Sequence, residues 1–452
     1  MADLRHALSD RVAGFTPPSG GFDRLVRLRR QRRRNQRIRA AAVALTVAAL
    51  GIWGVVVAIG AHQPPPPRPA FEPLTASSAP LLRQTWTAAI EPDQSAGPAA
   101  SGTEVYEAQP HDGLAVFPTV CGSRTCAPRW RGRVPVAAVS YPNSPAVGDG
   151  IVVVATDVLT AFPQVCASGG GECEPLWTTE PTADRMPLST PTIADGRVFV
   201  GASDGTVRAY ATTCRTDGGT CAPLWTARTG GSLTFSTPAV ADGVVAMVSD
   251  RLYTYPEDCS GRCRPLWTAD VLTRHEGRAG HGMGLTAPAA GDGHVFAVDG
   301  STLLAFDMAC RSDGGACRPS WRFIEPAGDY LSSPVEADGQ VFVTSRRLFA
   351  LSVACGVSGH ACEPTWRSDP ARVAMSTPTV GPGMVAVAAD RVEVFAAACG
   401  SSGACRPLFE GPAVTAGVPL SRPAVSSAGI FVAPLDGRMV AYQVPPAPRH
   451  SG

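Results

Sequence analysis

The sequence predicts an all-β chain, an eight-bladed β-propeller of four-stranded antiparallel blades preceded by one transmembrane helix. Three observations predict it. A bulky aromatic residue recurs about every forty-five residues, with Ser/Thr–Pro and Asp-Gly signals between. Fourteen cysteines fall into seven close pairs. One uncharged apolar run stands ahead of all of this.

The N-terminal region comes first. Residues 1–39 hold eleven Arg against three Asp, whereas the remainder holds 28 Arg against 35 acidic residues. Ala40 to Ala61 (AAAVALTVAALGIWGVVVAIGA) carries no charge and is long enough to cross a bilayer core as a helix. Arg29, Arg30, Arg32, Arg33, Arg34, Arg37 and Arg39 crowd its N-terminal side. The positive-inside bias therefore makes 1–39 a basic cytoplasmic tail, 40–61 the membrane helix, and everything later extracytoplasmic at the cell membrane. A signal peptide cut near Ala58-Ile59-Gly60 is the competing reading, but apolar cores of such peptides are shorter. Residues 62–80, opening with Gln63-Pro64-Pro65-Pro66-Pro67, read as a stiff Pro-rich linker. Residues 81–445 are the propeller, and 446–452 a disordered C-terminus.

Composition suits short strands joined by turns: 44% of residues are hydrophobic, with 47 Gly and 42 Pro. The chain has no lysine, which excludes Walker-type phosphate binding, Schiff-base chemistry and Ser-Lys dyads. An acidic body without a basic stripe points away from nucleic acid.

Within the repeat, Trp86, Trp130, Trp177, Trp225, Trp267, Trp321 and Trp366 are spaced by 42 to 54 residues, and Phe409 takes the eighth place. Between them stand Ser189-Thr190-Pro191, Ser236-Thr237-Pro238, Ser332-Ser333-Pro334, Ser376-Thr377-Pro378 and relatives. Turns follow at Asp149-Gly150, Asp195-Gly196, Asp242-Gly243, Asp292-Gly293 and Asp338-Gly339. Asp-Gly favours the left-handed backbone of tight hairpins. Then come a β-rich run such as Val341-Phe342-Val343, a second turn, an alternating run such as Thr206-Val207-Arg208-Ala209-Tyr210, and a hairpin into the aromatic strand. That order gives four strands, A to D, per unit. One such sheet cannot cover both of its faces, but a ring of sheets covers each with its neighbour. The recurring aromatics are accordingly inter-blade packing residues.

The cysteines pair as Cys121/Cys126, Cys166/Cys173, Cys214/Cys221, Cys259/Cys263, Cys310/Cys317, Cys355/Cys362 and Cys399/Cys405. Each pair lies between strands C and D, in a hairpin at the rim, and an even number beyond an apolar segment indicates disulfides in an oxidising compartment. Zinc half-sites are the competing reading, against which stand the variable spacing and the separation around the rim. Eight blades with seven pairs follow if the strand around Trp86 completes the blade begun near Ser421. Its C–D connection then joins distant parts of the chain and holds no local pair.

Leu176-Trp177-Thr178-Thr179, Leu224-Trp225-Thr226-Ala227 and Leu266-Trp267-Thr268-Ala269, combined with Ser-Thr-Pro and Asp-Gly, resemble the PQQ-like, or quinoprotein-like, propeller repeat over roughly residues 83–444. The resemblance implies a fold whose members include quinoprotein dehydrogenases, outer-membrane-assembly lipoproteins and sensor domains. The enzymes would imply a quinone between a Trp and a vicinal Cys-Cys disulfide, beside calcium; no two cysteines here are adjacent, so no cofactor is expected. His275, Glu276 and His281, in the longest Trp-to-Trp interval, are the one weak metal candidate, set against solvated histidines of a glycine-rich loop. No catalytic residue is expected. The function read from the sequence is a binding or scaffold module for a protein or cell-envelope partner. A single-pass sensor signalling to the tail is the alternative, and a PQQ-dependent dehydrogenase a further one.

Overall fold

Short β-branched runs between glycine turns form the strands seen in the computed structural model. It describes residues 71–92, 97–111, 113–135, 143–166, 171–271, 286–310, 316–356, 361–400, 403–413, 421–434 and 436–446. The expected tail, membrane helix and C-terminus from 447 onward lie outside these residues. Contacts divide the chain into Met1–Arg68 and Pro69–Gly452; the second unit is the propeller.

Eight antiparallel sheets run in chain order. Blade 1 consists of strands A to D at Ala99–Ser101, Glu104–Gln109, Gly113–Pro118 and Trp130–Gly132. Blades 2 to 6 repeat this plan, ending in strands D at Trp177–Thr179, Trp225–Arg228, Trp267–Ala269, Trp321–Ile324 and Trp366–Ser368. Blade 7 ends in the two-residue strand Phe409–Glu410. Blade 8 takes strands A to C from Ala424–Ser426, Gly429–Val432 and Arg438–Gln443, and strand D from Arg83–Ala89 near the other end of the chain. That last strand pairs antiparallel with Arg438–Gln443, Trp86 standing opposite Ala441. The ring closes as the repeat and cysteine count require.

Eight apolar clusters lie between successive blades, and each contains one of the eight recurring aromatics. The indoles do more than fill space. Trp86 Nε1 donates to Thr119 O at 3.0 Å, in the next blade around the ring. Trp177, Trp225, Trp267, Trp321 and Trp366 repeat this toward the carbonyls of Thr212, Glu257, Met308, Val353 and Ala397. Every acceptor lies two residues before a cysteine, so the bond pins each Trp to the root of its neighbour's disulfide hairpin. Trp130 differs: the equivalent carbonyl, Gln164 O, accepts from Tyr106 Oη at 2.8 Å, and the Trp130 N–H has no partner.

Ser-Thr-Pro has a bonding role as well. The backbone N–H groups of Gly201, Val248, Thr344, Ala388 and Ala433 donate to the hydroxyls of Ser189, Ser236, Ser332, Ser376 and Ser421, twelve residues earlier. The proline two residues after each serine stands just ahead of the innermost strand, an edge where its missing N–H is harmless. Replacing Ser236 by alanine leaves the buried Val248 N–H without a partner and is expected to cost about 1–3 kcal/mol in urea unfolding. An unchanged midpoint would refute the role.

The blades depart from four strands in one respect. The cysteine hairpin of each blade reaches back and pairs, in parallel, with strand D of the blade before it. Thr125–Cys126 lies beside Thr87–Ala88, Glu172–Cys173 beside Arg131–Gly132, Thr220–Cys221 beside Thr178–Thr179, and Ala404–Cys405 beside Arg367–Ser368. Gly261–Arg262 pairs with Trp225–Thr226. This hairpin has its cysteines only four positions apart, and its paired residues stop just short of Cys263. Cys263 N–H still donates to Thr226 O at 2.8 Å, so the clasp is kept. Cys317 and Cys362 donate their N–H groups to Thr268 O and Arg322 O. The hairpin is therefore a clasp between blades as well as the corner of one. All seven disulfides are formed, with Cα atoms 5.6–6.2 Å apart.

The clasp keeps the cysteine hairpins at the outer edge of the sheets and buries one cysteine of each pair there. The second member of each pair, Cys126, Cys173, Cys221, Cys263, Cys317, Cys362 or Cys405, is only 1–6% exposed. Each belongs to the apolar cluster between its own blade and the one before, Cys263 lying in the cluster of Trp225 and Tyr255. Parallel pairing turns that side chain inward, where its sulfur packs as a small apolar group.

Blade 8 has no such hairpin, and residues 71–82, mostly within the stretch read as linker, take up part of its place. Glu72 N–H donates to Val444 O at 3.2 Å, and Leu74 N–H to Ser427 O at 2.8 Å. Leu74, Ala79 and Leu82 are buried against blades 7 and 8. Val444 O is the carbonyl a Trp in blade 7 would have used. Glu72 N–H takes that carbonyl, and Phe409, which has no N–H to place, fills the eighth position.

Candidate binding faces of the propeller

The antiparallel meander sends D–A loops and B–C turns to one end of the ring, and A–B turns and cysteine hairpins to the other. Both ends display apolar side chains, Val120, Val165, Leu224 and Leu266 flanking the cysteine hairpins, but the two ends are built differently.

At the D–A end, four loops use the same device. Each buries one apolar anchor and displays another within two residues. Leu188, Leu233, Leu331 and Met375 are buried, while Met186 is 45% exposed, Phe235 66%, Tyr330 77% and Val373 45%. The loops are braced from beneath. Arg185 pairs at 3.1 Å with Asp157, whose side chain is buried, and Thr182 Oγ1 donates to Met186 O at 2.9 Å. Glu325, also buried, accepts from Asp329 N–H at 2.9 Å, and Arg346 pairs with Asp329 at 3.2 Å. Gly230 N–H donates to Tyr253 Oη, which donates to Asp250; burial first, then that carboxylate, push the phenol above its ordinary pKa. The charged groups here thus pair among themselves, and exposed side chains held on braced loops are suited to docking.

At the A–B end, Asp149, Asp195, Asp242, Asp292 and Asp338 adopt φ of 45–51°, the backbone that a two-residue Asp-Gly hairpin demands. Asp149 also accepts from Gly196 N–H at 2.9 Å, so the turn of one blade holds the turn of the next. Glu336 is the exception along the innermost strands. The middle residue of strand A is Ala100, Val147, Ile193, Val240, Ala290, Val380 or Val425 in the other blades. Its carboxylate lies over Gly291, where a Cβ would collide with it. Burial foremost, then Asp292, Asp338 and Asp242, raise its pKa above the ordinary glutamate value. A raised acid destabilises the fold above its folded pKa, and the penalty fades as pH falls toward the unfolded value. Glu336→Gln is therefore expected to raise the melting temperature at neutral pH and to leave it unchanged below about pH 4. A gain of equal size at both pH values would remove the charge argument.

The recurring aromatics lie in the clusters between blades, and the cysteines form the seven expected pairs, with Cys263 and its six counterparts buried in the clasps. The metal candidate His275, Glu276 and His281 lies outside the described residues. Among the described residues, no three His, Cys, Asp or Glu side chains converge to hold a metal ion. Sequence reading missed the display of Met186, Phe235, Tyr330 and Val373. The available signal was an apolar side chain close to each Ser-x-Pro in a glycine- and proline-rich loop.

Residues 143–358 match the family model described as outer membrane protein assembly factor BamB. Several solved structures share the fold. The computationally designed Ika8 protein is 14% identical with a TM-score of 0.54, covering 80% of this chain and 100% of its own. BamB from Moraxella catarrhalis is 15% identical with a TM-score of 0.52, covering 82% and 99%. The C-terminal WD40 domain of Sif2 is 12% identical with a TM-score of 0.59, covering 81% and 99%. No curated protein matches the chain.

Proposed function

We propose that this eight-bladed propeller, whose residues 143–358 match the BamB family model, is a membrane-anchored, extracytoplasmic binding module whose D–A face docks a protein of the cell envelope. The observation that carries the reading is the repeated pairing of a buried with an exposed apolar side chain in four D–A loops, braced above charges already paired with one another. The point of entry supports it. Leu74 meets the A–B turn of blade 8, at the end of the ring opposite the D–A loops. The BamB likeness is consistent with a scaffold role, and the non-enzymatic assignment is part of the proposal.

The test is cross-linking of the full chain in host membranes, comparing wild type with Phe235→Ser/Tyr330→Ser. The double variant is expected to lose the partner and to keep its melting temperature and membrane association. Capture that survives the double variant but fails on deleting residues 1–39 would favour the sensor reading. Dehydrogenase activity on adding quinone and calcium would overturn the non-enzymatic one.

A further inference from the structure

Among the described residues, six of the eight outer strands pair in parallel with a clasp from the following blade, a seventh accepts one clasp N–H at Thr268 O, and the outer strand of blade 7 has neither. In blade 7, Leu408 N–H and Gly411 N–H bond inward to Val394 O and Val392 O. The N–H and C=O of Glu410 therefore face outward, as do those of its counterparts Thr178 and Arg367, whose N–H groups bond to Gly219 O and Gly403 O of the clasps. Among the described residues nothing bonds the Glu410 backbone on that side. Ala79–Leu81 lies alongside Phe409–Glu410, and Ala79 and Leu82 pack in the same cluster as the Phe409 ring, but none of them donates a backbone bond to this edge.

The same place carries a second anomaly. Glu410 stands directly across from Glu393, a like-charge pair that destabilises a sheet. The residue in Glu410's position is Thr or Arg in every other blade: Thr87, Arg131, Thr178, Thr226, Thr268, Arg322 and Arg367. Asp390 adds a third carboxylate. Arg391 is shared between Asp390 at 3.5 Å and Glu410 at 3.4 Å, so one cation faces three acids. Burial, followed by the charge of Glu410, raises the pKa of Glu393.

We propose that the outer edge of blade 7 is a strand-addition site for an extended basic segment of a partner protein, which would pair in parallel with Phe409–Glu410 and set an arginine or lysine beside Glu410 and Glu393. The molecule shows the binding mode six times over, and Gly261–Arg262 against Trp225–Thr226 shows it with an arginine in the register needed. Main-chain bonds would supply affinity, and the acidic pair the preference for a cation. This site is separate from the D–A face, and either can fail without the other.

The probe is the capped, disulfide-closed peptide Cys259–Pro265 of this chain (CSGRCRP), titrated into the full-length protein by fluorescence anisotropy. Saturable one-to-one binding is expected, weakened at least about tenfold by Glu410→Arg, by Glu410→Pro, and by Arg262→Glu in the peptide. Proline removes the outward N–H and also fixes the local backbone; if that variant loses its cooperative melt, Glu410→Arg decides. No saturable binding, or binding indifferent to position 410, overturns the proposal. So does equal binding of the acidic peptide, or a two-copy assembly of the chain abolished by Glu410→Arg, which would make the occupant a second copy.

Discussion

Trp86→Ala is expected to lower the stability of the propeller by about 3–5 kcal/mol, the range for removing a large buried aromatic side chain. Trp86 is almost fully buried, lies 5.8 Å centroid to centroid from Phe431 in its own blade, and packs against Val105 and Phe117 of blade 1. Its indole also satisfies Thr119 O across the seam. The strand it belongs to joins residues more than 350 positions apart, Thr85 Oγ1 bonding Gln443 Oε1 at 2.7 Å. The loss should therefore appear as earlier opening of the ring. Proteolysis within residues 93–98 should begin at lower temperature in the variant, and the urea midpoint should fall. A midpoint shift below about 1 kcal/mol would mean that the first and last strands do not hold the ring closed.

Cys214→Ser/Cys221→Ser is expected to cost about 2 kcal/mol, from the entropy of closing so short a loop. Chain entropy is one part of the effect. The freed hairpin also carries Thr220–Cys221, which pairs with Thr178–Thr179 of the preceding blade, so local order is lost across a blade boundary. Hydrogen exchange should accordingly rise at Thr178 as well as within residues 214–221. Exchange confined to the hairpin would sink the clasp interpretation and leave a simple corner staple. Non-reducing peptide mapping is expected to return all seven pairs.

Much was legible before any coordinates. Asp-Gly turns and alternating β-branched runs specify strands from neighbours two to five residues away, and the repeat multiplies that local signal eight times. Trp, Phe and Cys positions then implied the blade count and the closure by the segment around Trp86. The exchanges between blades were not legible: Trp177 on Thr212 O, Asp149 on Gly196 N–H, the cysteine hairpin on the preceding strand D. Burial of Cys263 and its counterparts belongs with them, since a rim hairpin read from spacing alone has no reason to turn inward. Each exchange joins residues about a full repeat apart, and no short-range pattern marks which carbonyl an indole will reach.

The sequence by itself determined the architecture, the cysteine pairing and the eight aromatic positions, because these follow from periodicity and from burial that any ring of such units must achieve. Only the tertiary structure decided that Glu72 takes the carbonyl facing Phe409, that residues 71–82 complete the seam, and that, among the described residues, one outer strand is left unclasped. Those outcomes depend on which chain segments meet at the closing joint. That is a property of the ring as a whole, and no window of residues contains it.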